Sequence, residues 1–319
     1  MAIIQSNKAS SKLVPFAGPW HKQKNKRCVW IVTKQGSMHS HAFDEVAIAL
    51  QGAFTELGGS LPIVRGFDKF GERSPIIYGA NILPKEIIPH LPADSIIMNL
   101  EQVADESIWM NPQYLEILKH FPVLDYSARN RSLLAEKGIE HAGLLEIGYS
   151  PCLTRIPPAT EKDIDVLFYG SINQRRADMI TALRETGLRV AHLFNAYGAE
   201  RDAVIARSKI VLNIHHFSSN IFEIVRVSYL LANGVCVVSE GNPEDPDIAP
   251  FTGGLAVVPY EGIVERCLQL ASDKASRQAL SERGFQIMRS RSQADMLRLI
   301  THREDNTTGS LRSGSVLSA

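Results

Sequence analysis

The sequence predicts an α/β chain of two Rossmann-like halves, and three observations carry that prediction. Its 319 residues, 45% of them hydrophobic, suffice for two domains with buried cores. The runs 209–214 and 235–239 are β-branched and continuous rather than alternating, as parallel strands covered on both faces require. Between them lies a helical stretch whose apolar face is Ile221, Phe222, Ile224, Val225, Val227, Leu230 and Leu231; Ser219 or Asn220 would cap it and Gly234 would end it. Strand, helix and strand form one βαβ unit. Its polar residues His215, His216, Ser218, Asn220, Glu223 and Arg226 collect at the carboxyl edge, where open α/β sheets bind ligands.

The remaining elements follow in order. Residues 1–25 are polar and lysine-bearing and residues 302–319 have little to bury, so both are expected to be disordered tails. A first domain, 26–155, opens with a strand at 28–33, a loop from Gly36 to His41, and a helix ending near Gly58 and Gly59. Strands at 61–64, 74–78, 95–100 and 123–126 follow, then a helix at 128–137 stopped by Gly138. The proline-rich stretch 144–158 is the expected linker. A second domain, 156–301, runs strand 166–169, helix 174–184, strand 188–193, helix 199–208 and the βαβ unit, with helices near 262–272, 275–287 and 292–301.

Composition narrows the function. Lys plus Arg equals Asp plus Glu at 34 each, so no global field recruits nucleic acid, and an anionic ligand must be held locally. The cysteines Cys28, Cys152, Cys236 and Cys267 show no metal spacing, which suggests a reducing compartment and no structural zinc. No apolar run is long enough for a transmembrane segment and the start lacks a signal-peptide core, so a soluble, cytoplasmic protein is expected. No GxGxxG follows a strand and no P-loop motif occurs. Asp163-Ile-Asp165 precedes its strand and Asp245-Pro-Asp247 sits in a proline-held loop, so neither reads as a metal-binding DxD.

The succession Asp165 to Arg176 (DVLFYGSINQRR), Tyr197-Gly198, Ser208 to Ile214, and Phe222-Glu223 through Ala232-Asn-Gly234 to Ser239 resembles the donor-binding half of a GT-B-fold glycosyltransferase, close to the group-1-like and CgeB-like branch. The resemblance covers about residues 160–290. It implies two Rossmann-like domains facing across a cleft, with a nucleotide-sugar donor on the second and an acceptor on the first. Where many group-1 enzymes carry a ribose-contacting glutamate, five residues before the helix-ending glycine, this chain has Tyr229. The glutamate pair eight apart of retaining members is also absent, because the position eight before Glu223 is His215.

Each candidate residue has a plainer alternative. Arg175 and Arg176 follow Gly170 and Ser171 at a helix start, where amide groups and the helix dipole favour a diphosphate, although two solvated arginines would read the same. Glu223 is either the acidic member of an Asn220-x-x-Glu223 capping box, with Arg226 as its helix partner, or a carboxylate for ribose hydroxyls. His215 is placed to meet donor phosphate or sugar, and Glu240, at the end of the last buried strand, to meet donor hydroxyls or only solvent. Phe222 enters with the resemblance. His41 or His39, in the loop after the first strand, would act as the base on the acceptor, oriented by Asp44, unless both are loop residues beside capping Ser37 and Ser40. Asn99, Glu101, Gln102 and Asp125 would be acceptor-side contacts.

The expected activity is therefore metal-independent transfer of a sugar, as hexosyltransferases do, from a nucleotide diphosphate to a carbohydrate, lipid-linked or protein acceptor. No cofactor is expected beyond the donor substrate. One alternative is a nucleotide-sugar epimerase or hydrolase of the same fold; another, of a different class, is a non-catalytic nucleotide-sugar-binding protein.

Overall fold

The computed structural model describes residues 13–34, 36, 38–104, 107–216 and 222–301. In chain order it runs α1 (Trp20–Gln23), β1 (Arg27–Ile31), α2 (Asp44–Glu56), β2 (Ile63–Val64), β3 (Ser74–Tyr78), β4 (Ile96–Asn99), α3 (Pro112–His120), β5 (Val123–Asp125), α4 (Ala128–Glu136) and β6 (Gly143–Leu144). It continues through β7 (Ile164–Tyr169), α5 (Gln174–Glu185), β8 (Val190–Leu193), α6 (Gly198–Arg207), β9 (Ser208–Asn213), α7 (Ile224–Ala232), β10 (Val237–Glu240), β11 (Ala256–Val258), α8 (Ile263–Ser272), α9 (Lys274–Arg289) and α10 (Gln293–Thr301). The chain forms two compact units. One holds the residues up to Phe43, Leu50–Glu146 and those from Gln293; the other holds Asp44–Ala49 and Ile147–Ser292. Among the described residues no helix is long and apolar enough to cross a membrane.

The first unit is built on a six-stranded sheet in the order β2-β1-β3-β4-β5-β6, parallel throughout. Trp30, Ile77, Ile97 and Val123 on its strands pack with Tyr114, Leu118 and Leu134 of α3 and α4. Helix α3, not expected from the sequence, is started by the Asn111 side chain, which accepts from the Tyr114 amide at 2.9 Å, and by Pro112 in its first turn.

Two expectations are corrected here. Residues 13–25 are not a tail: Phe16 and Trp20 set their rings 6.1 and 4.9 Å from that of Phe54, and this apolar contact orders the segment. Helix α10, assigned to the second domain from its position in the chain, belongs to the first unit, where the Gln293 amide donates to the carbonyl of Glu146 at 3.1 Å.

The second unit carries a five-stranded parallel sheet in the order β11-β10-β9-β7-β8. The continuous apolar runs have the predicted cause. Leu167, Val211 and Val237 face one helix layer with Val227, Leu230 and Leu231, while Val166, Phe168, Ile210, Leu212 and Val238 face the other with Met179, Leu183 and Cys267. Gly234 follows α7 at φ 61°, a left-handed conformation that closes the helix without a Cβ penalty. Helix α7 begins only at Ile224, so Glu223 precedes the helix rather than sitting in its first turn. Glu223 is thus not the acidic member of a capping box, and the proposed caps Ser219 and Asn220 lie outside the described residues.

Candidate functional site

In the second sheet β7 is flanked by β8 on one side and β9 on the other, so the connections diverge at the carboxyl ends of β7 and β9. Such switch points are where doubly wound sheets leave a crevice for a ligand. The loop after β7 begins at Gly170, whose φ of 134° suits glycine and whose missing Cβ would lie 3.0 Å from Nη2 of Arg226. Asn173 then starts α5, its Oδ1 accepting from the Arg176 amide at 3.1 Å and its Nδ2 donating to the His216 carbonyl at 2.8 Å.

The three arginines gathered here have different occupations. Arg176, only 3% exposed, spends its guanidinium on backbone: Nε and Nη2 donate to the Ile214 carbonyl and Nη1 to the Ser171 carbonyl at 3.0 Å. It ties the loops after β7 and β9 together; burial, with Arg226 nearby, pulls its pKa down to about 10. Arg175 forms a two-pronged ion pair with Glu240, Nη1 to Oε2 at 2.7 Å, and lies over the Tyr260 ring at 3.9 Å. Arg226, at intermediate exposure on α7, has one hydrogen bond among the described residues, Nη1 to Asn213 Oδ1 at 3.2 Å. It rests against Phe168 and Tyr169 at 5.7 and 5.2 Å.

The carboxylates are equally specific. Glu223 Oε2 accepts from Asn213 Nδ2 at 2.9 Å and from His215 Nδ1 at 3.0 Å. Glu240 Oε2 also accepts from the His215 amide at 3.1 Å. His215 is 1% exposed and its Nε2 has no hydrogen-bond partner among the described residues. Gly170, Ser171, Arg175, Arg176, His215, Glu223, Arg226 and Glu240 thus converge as the sequence suggested. Phe222 is corrected: it is 1% exposed in the apolar core, its ring 5.8 Å from that of Phe251, because the chain turns inward before α7. Asn213, which joins Glu223 to Arg226, was missed; a lone amide ending a buried strand was its only signal.

Burial alone would neutralise both members of the His215–Glu223 pair. For His215 the hydrogen bond and charge of Glu223 outweigh it, and the imidazole pKa is raised. For Glu223 the bond and charge of His215, with Arg226 and Asn213, outweigh it, and the carboxyl pKa is lowered. The raised imidazole contributes stability that is full below its ordinary value and is lost as pH rises through its folded value; the lowered carboxyl contributes above its ordinary value and loses it as pH falls. Thermal stability is therefore expected to fall as pH rises from about 6.5 into the alkaline range, and His215→Asn to flatten that slope. Parallel melting curves for the two proteins across that range would refute the assignment.

In the first unit the loop after β1 forms a 3-10 turn over His39–Phe43, so His39 and His41 precede α2 rather than opening it. Phe43 holds the N-cap position, Ser40 is buried inside the turn, and Ser37 lies outside the described residues. Arg65 Nη2 lies 3.3 Å from His41 Nδ1. An arginine can only donate, so this contact uses the Nδ1 lone pair of His41. Asp44 is the first residue of α2 and belongs to the second unit.

The carboxyl ends of β4 and β5 hold a polar cluster instead. Asn99 Nδ2 donates to Asp125 Oδ2 at 2.6 Å, Tyr114 donates to Asn99 Oδ1 at 2.8 Å, and Asn81 Nδ2 donates to Glu101 Oε1 at 3.1 Å. Burial raises the pKa of both Glu101 and Asp125 to about 7.

The sequence also gave no warning of a second ionic cluster in the second unit. Glu45 Oε1 accepts from Arg201 Nη2 and Arg155 Nη2, each at 2.8 Å, and Arg201 also pairs with Asp202 at 2.8 Å. Tyr229, standing where the resemblance expects a ribose-contacting glutamate, donates to Asp202 Oδ2 at 2.7 Å and accepts from Arg155 at 3.0 Å. The DxD at 163–165 lies at the start of β7, the edge opposite the switch point, with Asp163 held by Arg207 and Asp165 by Arg189 and Lys209.

Fold and topology are those of the GT-B glycosyltransferases. HepE of Anabaena, crystallised with UDP-glucose, superposes with a TM-score of 0.57 at 12% identity, over 89% of this chain and all of that one. The T4 phage protein BGT, also with UDP-glucose, gives 0.51 at 14% identity, over 90% and 99%. AviGT4, a glycosyltransferase involved in avilamycin A biosynthesis, gives 0.51 at 15% identity, over 91% and 98%. No family model matches the chain. Among curated proteins, two uncharacterised proteins of Acanthamoeba polyphaga mimivirus are each 28% identical, over 193 and 186 residues. Each match covers 56% of this chain, and the chain spans less than two thirds of either relative, 60% and 62%.

Proposed function

We propose that this chain transfers a glycosyl group, a hexosyl unit in the first instance, from a nucleoside diphosphate sugar to an acceptor hydroxyl without a metal ion. The observation that carries the reading is the convergence, at the switch point of the second sheet, of Gly170, the guanidinium of Arg226, the Arg175–Glu240 fork and the His215–Glu223 pair. The fold likeness to proteins crystallised with UDP-glucose supports it, and the run 165–239 supports placing it in the group-1-like and CgeB-like branch.

In this reading Arg226 meets the diphosphate and stabilises it as it departs; the acceptor oxygen bonds to the anomeric carbon as its C–O bond to the diphosphate breaks, and the electron pair leaves with the phosphate oxygen. The buried Nε2 of His215 gains an acceptor when the donor binds. Glu223 and Glu240 take ribose or sugar hydroxyls. The base that accepts the acceptor's proton is His39 or Glu101, the latter because its carboxyl pKa lies near 7. Arginines and amide groups do the work of a metal, since the aspartates of the DxD at 163–165 are occupied at the far edge of the sheet.

Calorimetry with UDP and UDP-glucose, together with donor turnover with and without EDTA, tests this. Expected are UDP binding, slow donor loss without an acceptor, and rates unchanged by EDTA. Rapid acceptor-free turnover would make the protein a hydrolase or epimerase. A natively melting protein with no affinity for a panel of nucleotides and nucleotide sugars would remove the reading.

A further inference from the structure

The second unit has a cavity of about 660 Å³ at the other edge of its sheet, within the size range of small-molecule sites. Its floor is formed by Ile205, Val235 and Cys236, where β9 begins and the chain enters β10. From there β9 runs six residues to Asn213, so the cavity and the switch point lie about 20 Å apart along the strand.

The charge of the lining is unusual. Lys162, Lys209, Lys274 and Arg277 line it, against a single acidic residue, Glu282. Lys209 is neutralised by Asp165 at 2.7 Å. Lys162, Lys274 and Arg277 have no carboxylate at ion-pair distance among the described residues. Lys162 instead donates to the carbonyls of Ala206 and Ser208, at 3.0 and 2.7 Å, and Arg277 to those of Leu270 and Ala271. These bonds fix both heads in place and leave each with further donors. Burial, then the charge of Arg277, lowers the Lys162 pKa. Lys274 and Arg277 also occupy the first turn of α9, where the dipole disfavours cations and Asp273 is spent capping the Ser276 amide at 3.0 Å.

We propose that this cavity is a second ligand site, for a small molecule bearing a phosphoryl group. Lys162, Lys274 and Arg277 would take the phosphoryl oxygens through charge-assisted bonds, and Ile156, Pro157 and Phe285 would cover the carbon skeleton. The proposal does not rest on glycosyl transfer.

The test uses the full chain carrying Arg226→Ala, so that the switch-point site does not compete for anions. Calorimetry with fructose 1,6-bisphosphate as probe is compared before and after adding Lys274→Glu with Arg277→Gln. Lys274→Glu alone, at an exposed position, serves as the variant least able to disturb the fold. Co-sedimentation with phosphatidic acid vesicles, against phosphatidylcholine vesicles, forms a second arm that distinguishes a lipid headgroup from a soluble phosphate. Binding in either arm that weakens at least tenfold in both variants, with melting unchanged, establishes the site, and the arm in which it occurs identifies the source. No binding in either arm, or binding undiminished by the variants, overturns it.

Discussion

Arg226→Ala is expected to lower the affinity for UDP and UDP-glucose about ten- to a hundredfold, the loss of charge-assisted bonds worth roughly 1.5–3 kcal/mol. Three guanidinium groups stand at the switch point, and their present partners decide which one is available. Arg176 is buried and bonded to the Ser171 and Ile214 carbonyls, so it holds the loops. Arg175 faces Glu240 through two bonds, and its charge is already countered. Among the described residues Arg226 has one hydrogen bond, to the amide oxygen of Asn213, and it lies on an aromatic bed beside Gly170, whose missing Cβ makes room for the guanidinium. Lysine at this position should recover part of the affinity, because it restores the charge but not the planar fork. Stability should fall by only about 1 kcal/mol, since Asn213 loses one donor. Wild-type UDP affinity in a natively melting Arg226→Ala protein would move the diphosphate to Arg175.

Glu45→Ala is expected to cost about 3 kcal/mol of unfolding free energy, measured by urea denaturation of the whole chain. The side chains of Glu45 and Arg201 are 7% and 5% exposed, and the same carboxylate oxygen also receives Arg155. Its removal leaves Arg201 facing Asp202 alone, with one cation in excess and little water to solvate it. Arg201 also rests on the Tyr229 ring at 4.7 Å, so the hydrogen bond from Tyr229 to Asp202 is expected to loosen as the guanidinium shifts. Glu45→Gln keeps an acceptor and should cost less. A loss below about 1 kcal/mol for Glu45→Ala would mean that Asp202 suffices for Arg201.

The elements that the sequence located are those specified by local chemistry. Unbroken β-branched runs located β9 and β10 to within two residues at each end, and Gly234 marked the end of α7, because periodicity and left-handed glycines act over a few neighbouring residues. The same local reasoning erred where a tertiary contact overrode it. A capping box at 220–223 fits the spacing, yet Glu223 is drawn instead to His215 and Asn213, and residues 13–25 are ordered by the ring of Phe54.

Sequence alone determined that this is an α/β chain with parallel, fully covered strands, and that its polar residues gather at the carboxyl edge of the second sheet. Which of them are left for a ligand was decided only in three dimensions. Arg176 meets Ile214 from 38 positions away, Arg175 meets Glu240 from 65, and Glu45 meets Arg201 from 156. Pairings at such separations follow from strand order and from which charges are buried together, and neither is written in the spacing of neighbouring residues.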